Sequence, residues 1–222
     1  MTTTRPRRFD LIAFDWDGTL FDSTAIIVRS IQGAVRDVGG RVPTDTEAAY
    51  VIGLGLSQAL AHAAPDVPRE KYPQLGERYR HHYSLQQDQI TLFDGVLDML
   101  HALKARQYLL TVATGKSRWG LDQALAHVAL KDLFHASRTA DETAGKPHPR
   151  MLHELMAETG VPAARTLMVG DTTHDLQLAA NAGCASVAVS YGAHETAALA
   201  ALQPLYIASS AHDLHAWLQD NA

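Results

Sequence analysis

Asp15 and Asp17 stand two apart directly behind a short apolar run, in the stretch Phe14-Asp15-Trp16-Asp17-Gly18-Thr19. In an extended segment residues i and i+2 share a face, so both carboxylates can address one ligand. A second pair, Asp171 and Asp175, follows another apolar run at the start of a helical pattern, where a spacing of four puts both on one side of the first turn. Carboxylates this dense repel one another and call for a cation, and Mg²⁺, a hard ion suited to oxygen ligands, fits best. Lys146, in Gly145-Lys146-Pro147-His148-Pro149, supplies a compact positive charge that offsets the acids and can hold a phosphoryl oxygen. Thr114 and the amide of Gly115, behind a third apolar run, can donate hydrogen bonds to the same group. Each residue also has a plainer role. An Asp after a strand caps a helix, a Lys before a Pro-initiated helix is solvated, and a Thr bonds its own turn. Asp10 and Asp22 are read as ordinary surface or capping residues. The coincidence of Asp15, Asp17, Thr114, Lys146, Asp171 and Asp175 at one end of one expected sheet is what favours chemistry.

The elements that must position them alternate. Phe9–Phe14, the run 108–115, a weaker strand at 134–140, the run 166–171, a strand near 184–192 and a last one near 205–209 read as strands. Helical patterns separate them, including about 118–129, 149–159 and one from about 211 to the end. Such alternation predicts an α/β fold: a Rossmann-like parallel sheet with helices on both faces, whose ligands gather outside the carboxyl ends of the strands. The alternation breaks after the first strand. From about Ser23 the texture is helical, with Ile27, Ile31, Val35 and Val38 on one face, Gly39-Gly40 as a stop, and Thr44 with Glu47 at capping-box spacing. Residues 22–90 are therefore expected to form a small all-helical domain inserted in a discontinuous core of residues 1–21 and 91–222.

The 222 residues carry 19 Lys plus Arg against 24 Asp plus Glu, a net charge of −5, and 46% are hydrophobic. That is an ordinary globular composition, and the acidic balance argues against an extended nucleic-acid surface. The lone Cys184 excludes an intrachain disulfide and a thiolate zinc cage. The basic start has the flank of a signal peptide, yet Asp15 cuts the apolar stretch short, and no run is long enough to span a membrane. A cytoplasmic protein, monomer or homodimer, with no membrane or nucleic-acid partner, is the expectation.

With these residues in view, DWDGTLFDS at 15–23 resembles the first motif of the haloacid dehalogenase superfamily. Thr114-Gly115-Lys116 resembles its second motif, Lys146 in GKPHP its third, and GDTTHD at 170–175 its fourth. The motifs occur in the family's order along the whole chain, and the helical insert corresponds to the family's cap. Among members, the phosphoglycolate phosphatase-like hydrolases are the most similar. The resemblance implies that Asp15 is a nucleophile forming an aspartyl-phosphate and that Asp17 protonates the leaving oxygen and then activates water. Asp15, the main-chain carbonyl of Asp17 and Asp171 would hold Mg²⁺, with Asp175 as a further or indirect ligand. Thr114, Gly115 and Lys146 would bind the phosphoryl group, and the substrate would be a small-molecule phosphate ester. An acid at position 17 favours phosphate esters over carbon–halogen bonds, since a halide leaves without a proton.

Other readings compete. A sugar-phosphate mutase, a pyrophosphatase or a nucleotidase would use the same residues, and a phosphate-binding module without turnover would need no nucleophile. The loop Gly53–Ser57 is a candidate for facing the site, and Lys116 and Arg118 for meeting an anionic substrate tail. His174 is weighed as a metal ligand against the oxygen preference of Mg²⁺. Gly115-Lys116-Ser117 ends like a P-loop but has Leu110 where the first Gly belongs, and Gly53 and Gly55 lack the third Gly of a dinucleotide fingerprint.

Overall fold

A computed structural model describes residues 7–127 and 130–222. In chain order it contains β1 (Leu11–Phe14), α1 (Thr24–Asp37), α2 (Asp45–Tyr50), α3 (Leu56–Ala63), α4 (Tyr72–Ser84) and α5 (Val96–Ala105). There follow β2 (Leu109–Thr114), α6 (Arg118–His127), β3 (Ala136–Thr139), α7 (Arg150–Thr159), β4 (Thr166–Gly170) and α8 (Thr173–Asn181). Then come β5 (Ala185–Val189), α9 (Thr196–Ala200), β6 (Ile207–Ala208) and α10 (Ala211–Asn221). Short 3-10 turns lie between some of them. Residues 128 and 129 of the helix expected over 118–129, and residues 1–6 of the expected core, lie outside the described residues.

The strands form one parallel sheet in the order β3-β2-β1-β4-β5-β6. The chain therefore moves from β1 outward through β2 and β3, then restarts on the other side with β4. The carboxyl ends of β1 and β4 border the place where the connections diverge, the position at which such sheets hold ligands. Why these runs are strands is visible in their period of two. Ile12, Phe14, Leu110, Val112, Leu167 and Val169 fill one face, against Val96, Met99, Leu100 and Leu103 of α5 and Leu214 and Leu218 of α10. Ala13, Ala113 and Met168 fill the other, against Met151, Leu152 and Leu155 of α7 and Leu178 and Ala179 of α8. Helices cover both faces, so β1 is buried at every residue.

Helices α1 to α4 enclose a hydrophobic cluster of their own, running from Ile27, Ile31 and Val35 through Val51, Leu60 and Val67 to Leu75. Two adjacent crossings join them to the sheet: Phe21 bridges Leu92, and the Asp22 amide donates to the Thr91 carbonyl at 2.9 Å. The expected capping box is present. Thr44 accepts from the Glu47 amide, and the Glu47 carboxylate reaches back to the Thr44 amide at 2.8 Å. Arg41, bonded to both Glu47 oxygens, and the Thr44 amide hold that carboxyl down at about 2. Replacing Thr44 by Ala removes one of the orphan amide partners at the start of α2. Chemical denaturation should show a loss of about 1 kcal/mol, and an unchanged midpoint would contradict this account of the helix start.

Candidate active site

β1 delivers Asp15 into the interior, where it is only 1% exposed. Its main-chain amide is still held by the Val169 carbonyl of β4, so the sheet fixes the side chain's origin. Lys146 Nζ, fully buried, donates to Asp15 Oδ1 at 2.5 Å and to Asp175 Oδ1 at 2.6 Å. Asp15 Oδ2 is buried with no hydrogen-bond partner. Asp171 approaches from the end of β4, and one carboxylate oxygen each from Asp15, Asp171 and Asp175 lie within 4.8 Å of one another. These three acids are the one cluster among the described residues that could hold a metal ion.

Both oxygens of Asp171 are oriented. Thr19 Oγ1 donates to Oδ1 at 2.8 Å, and the Ala193 amide donates to Oδ2 at 2.7 Å. Asp171 is therefore no helix cap. That role belongs to Thr172, whose hydroxyl accepts from the Asp175 amide while Asp175 Oδ2 takes the Thr172 amide and hydroxyl at 3.1 and 2.6 Å. Asp175 thus has one oxygen on the helix start and the other on Lys146, so the capping box aims the lysine. Gly18 makes the approach possible: its φ of +82° is left-handed, and a Cβ there would lie 2.2 Å from Asp171 Oδ2.

Asp17 faces elsewhere. Its Oδ1 accepts from Ser23 Oγ at 2.8 Å and meets Lys116 Nζ at 3.0 Å, and Lys116 also donates to Tyr83 Oη of α4 at 3.1 Å. Thr114 Oγ1 accepts from the Lys116 amide at 3.2 Å, which leaves its hydroxyl proton available. The turn after it touches α2–α3: a Cβ on Gly115 would lie 2.5 Å from the Gly53 carbonyl oxygen. Asp17, Gly115, Lys116 and the loop Gly53–Ser57 line one cleft of about 1310 Å³ between the helical region and the sheet. The loop expected to face the site does so. Arg118 does not line the cleft; its guanidinium is bound to Glu142 at 2.6 and 2.9 Å and to Ser137, and it holds the Glu142 carboxyl at about 2.

Charge in the buried cluster is uneven. Burial alone would lower the Lys146 ammonium, but Asp15 and Asp175 together raise it above its ordinary value, so it stays charged. Three acids share that single cation. Burial pushes Asp15 well up, against the pull of Lys146, and burial with the charge of Asp175 pushes Asp171 up to about 7. His174, weighed above as a ligand, lies outside the cluster. Its Nε2–H donates to the Tyr50 carbonyl at 2.8 Å, and His194 Nε2–H does the same at 3.1 Å while its ring stacks on Tyr50.

A model of the haloacid dehalogenase-like hydrolase family matches residues 12–189, from β1 to the end of β5. The chain belongs to that family. It is 36% identical over 202 residues to a probable phosphatase IndB of Dickeya dadantii, covering 89% of this chain and 88% of that one. It is 34% identical over 203 residues to a phosphoglycolate phosphatase of Aliivibrio fischeri, covering 87% and 89%. A crystal structure described as a predicted phosphoglycolate phosphatase from Haemophilus somnus superposes with a TM-score of 0.83 at 28% identity, covering 95% of this chain and 98% of the other.

Within this haloacid dehalogenase-like site, what the motifs do not reveal is how the acids are oriented. Thr19 and Ser23 lie inside the first motif, but nothing in their spacing says that Thr19 holds Asp171 and Ser23 holds Asp17. Ala193 is invisible in sequence, because an amide contributes whatever its side chain. The strand expected to continue to residue 192 ends at Val189, and the chain bends to bring that amide over Asp171.

The pH response follows. An acid with a folded value near 7 keeps a proton that the unfolded chain has already lost above about pH 4. Between those values the folded state binds more protons, so stability falls as pH rises. In chelator, the melting temperature should drop on going from about pH 5 to about pH 8. Asp171→Asn should flatten that drop, since its amide can still accept from Ala193 and donate to Thr19. An equal drop in the variant would contradict this charge assignment.

Proposed function

We propose that the protein is a Mg²⁺-dependent phosphatase that hydrolyses a small-molecule phosphate monoester through an aspartyl-phosphate on Asp15. The observation carrying this reading is Asp15 itself: a buried carboxylate with one oxygen on an ammonium and the other without a partner, two residues from a second acid that lines the cleft. Membership of the hydrolase family and the phosphatase names of the relatives support the reaction class. The donor set fits a hard cation, because three carboxylate oxygens converge where one ammonium leaves their charge uncompensated. Asp15 and Asp171, with the main-chain carbonyl of Asp17, would hold it. Asp175, whose oxygens already hold Lys146 and Thr172, would serve by fixing the lysine. Bound there, Mg²⁺ neutralises the excess carboxylate charge and polarises phosphoryl oxygens.

The chain's own groups then account for the steps. A carboxylate oxygen of Asp15 attacks phosphorus as the ester P–O bond breaks, and Asp17 gives its proton to the departing oxygen. Lys146, the Thr114 hydroxyl and the Gly115 amide stabilise the charge on the transferring group. Asp17 next takes a proton from water, whose oxygen attacks phosphorus and frees both phosphate and Asp15. Ser23 and Lys116 hold Asp17 in place for both transfers. Residues 22–90 act in this reading as a cap on a core of residues 1–21 and 91–222. Their movement on the paired crossings at Phe21 and Leu92 would admit substrate to the buried Asp15 and exclude water afterwards. No described helix is long and apolar enough to cross a membrane, which suits the proposed setting: a cytoplasmic enzyme of small-molecule phosphates, monomeric or homodimeric.

A phosphate-release screen over metabolite phosphates with Mg²⁺ tests this directly. Asp15→Asn should lower turnover by roughly a thousandfold or more, and Asp17→Asn by about 10² to 10⁴. Isomerised sugar phosphate without free phosphate would mark a mutase, and wild-type turnover in Asp15→Asn would defeat the mechanism.

A further inference from the structure

Residues 190–194, the bend after β5, touch the buried acids, the crossings and the helical region at once. Ser190 anchors the bend, its amide and hydroxyl both donating to the Ala208 carbonyl of β6 at 2.9 and 3.2 Å. The Tyr191 hydroxyl donates to the Thr19 carbonyl at 3.1 Å, and its ring stands edge-on to Phe93, next to the Leu92 crossing, at 4.7 Å. Thr19 in turn holds Asp171 Oδ1. Gly192 passes so close that a Cβ would lie 2.3 Å from Asp171 Oδ2. The Ala193 amide donates to that same oxygen at 2.7 Å, while its side chain packs on the hydrophobic cluster of α1 to α4.

His194 makes the last contact. Its Nδ1 accepts from the Thr173 amide at 3.0 Å, so Nε2 carries the hydrogen donated to the Tyr50 carbonyl. That carbonyl ends α2, where the last turn of a helix leaves its acceptors without partners inside the helix. Two imidazoles from the sheet side, His174 and His194, fill it. The Tyr50 ring lies flat on His194 at 5.4 Å and edge-on to His174 at 5.3 Å. Both oxygens of Asp171 are thus held by groups that this bend carries or braces, and Tyr50 holds the bend. Lifting the helical region would strip the Tyr50 carbonyl and ring from His194, and the apolar cover from Ala193, whose amide aims Asp171.

We propose that residues 190–194 couple the seating of the helical region to the aim of Asp171, with His194 as the positioning residue and Tyr50 as its counterpart. This deepens the phosphatase reading and rests on its moving cap and its cation on Asp171. Such coupling is reciprocal: a seated cap strengthens cation binding, and a bound cation favours the seated cap by the same factor.

Titration calorimetry with Mg²⁺ alone, without substrate and with Asp171→Asn as the blank, reads the first direction. Tyr50→Ala lies in the helical region, and the ring it removes meets His62, His174 and His194 rather than the acids. Tyr50→Ala and His194→Ala should each weaken Mg²⁺ binding by about five- to tenfold, the size that one lost ring contact or hydrogen bond can transmit. His194→Gln, whose amide can still donate to the Tyr50 carbonyl, should recover most of the loss. Amide hydrogen exchange reads the other direction: saturating Mg²⁺ should slow exchange across residues 50–54 in the wild type and not in Tyr50→Ala. Unchanged Mg²⁺ affinity in both alanine variants, or exchange at 50–54 indifferent to bound Mg²⁺, would overturn the coupling and leave the phosphatase reading standing. A loss confined to His194→Ala, or one that His194→Gln does not recover, would make His194 a support of its own bend and overturn the coupling too. No Mg²⁺ binding by the wild type beyond the blank would overturn both readings.

Discussion

Three carboxylates and one ammonium are buried together at the carboxyl end of the sheet, and most of the molecule can be understood as what it takes to hold them there. Lys146 bonds Asp15 and Asp175 at 2.5 and 2.6 Å, and among the described residues it is the one cation bonded to the cluster, in which burial still pushes Asp15 and Asp171 up. Truncating one member of such a buried group leaves the others uncompensated, at a cost that can reach about 3–5 kcal/mol. The arrangement is poor for stability and well suited to chemistry. One carboxylate oxygen is left without a partner, and the surplus negative charge is what a divalent cation would satisfy.

The sheet supplies the precision. Asp15 and Asp171 leave adjacent parallel strands, so the register that pairs Phe14 with Val169 also sets their separation. Helix α8 contributes its capping box, in which Asp175 fixes both the helix start and the lysine. The helical region is tied to the same spot. The Tyr50 carbonyl receives both His174 and His194, Lys116 joins Asp17 to Tyr83, and the Gly53 carbonyl rests on Gly115. Contact between the two parts is thus made at Asp17, at Gly115 and at the start of α8, beside the buried acids.

Much of this was legible in the sequence because it is written in side-chain type and period. Buried strands show as apolar runs, their ends show as acids or Thr, and the interruption of the α/β alternation shows as the run of helices after β1. The parallel sheet, the Thr44–Glu47 box and the convergence of Asp15, Asp171, Asp175 and Lys146 all follow such signals. The rest depends on tertiary proximity or on the backbone. That Thr172 rather than Asp171 caps α8 could not be told from spacing, since both stand between a strand and a helix. Arg118 looked like a partner for an anion until the fold set Glu142 beside it. The amide of Ala193 carries no sequence signal at all.

In the proposed mechanism Asp15 itself becomes phosphorylated. A rapid-quench experiment with acetyl phosphate and Mg²⁺, using Asp17→Asn to slow release and peptide mass spectrometry to map the product, measures this most directly. The account predicts a phosphoryl adduct on Asp15 that forms within the first turnover and is absent from Asp15→Asn. Phosphate release with no adduct on Asp15, or an adduct on another residue, would contradict it.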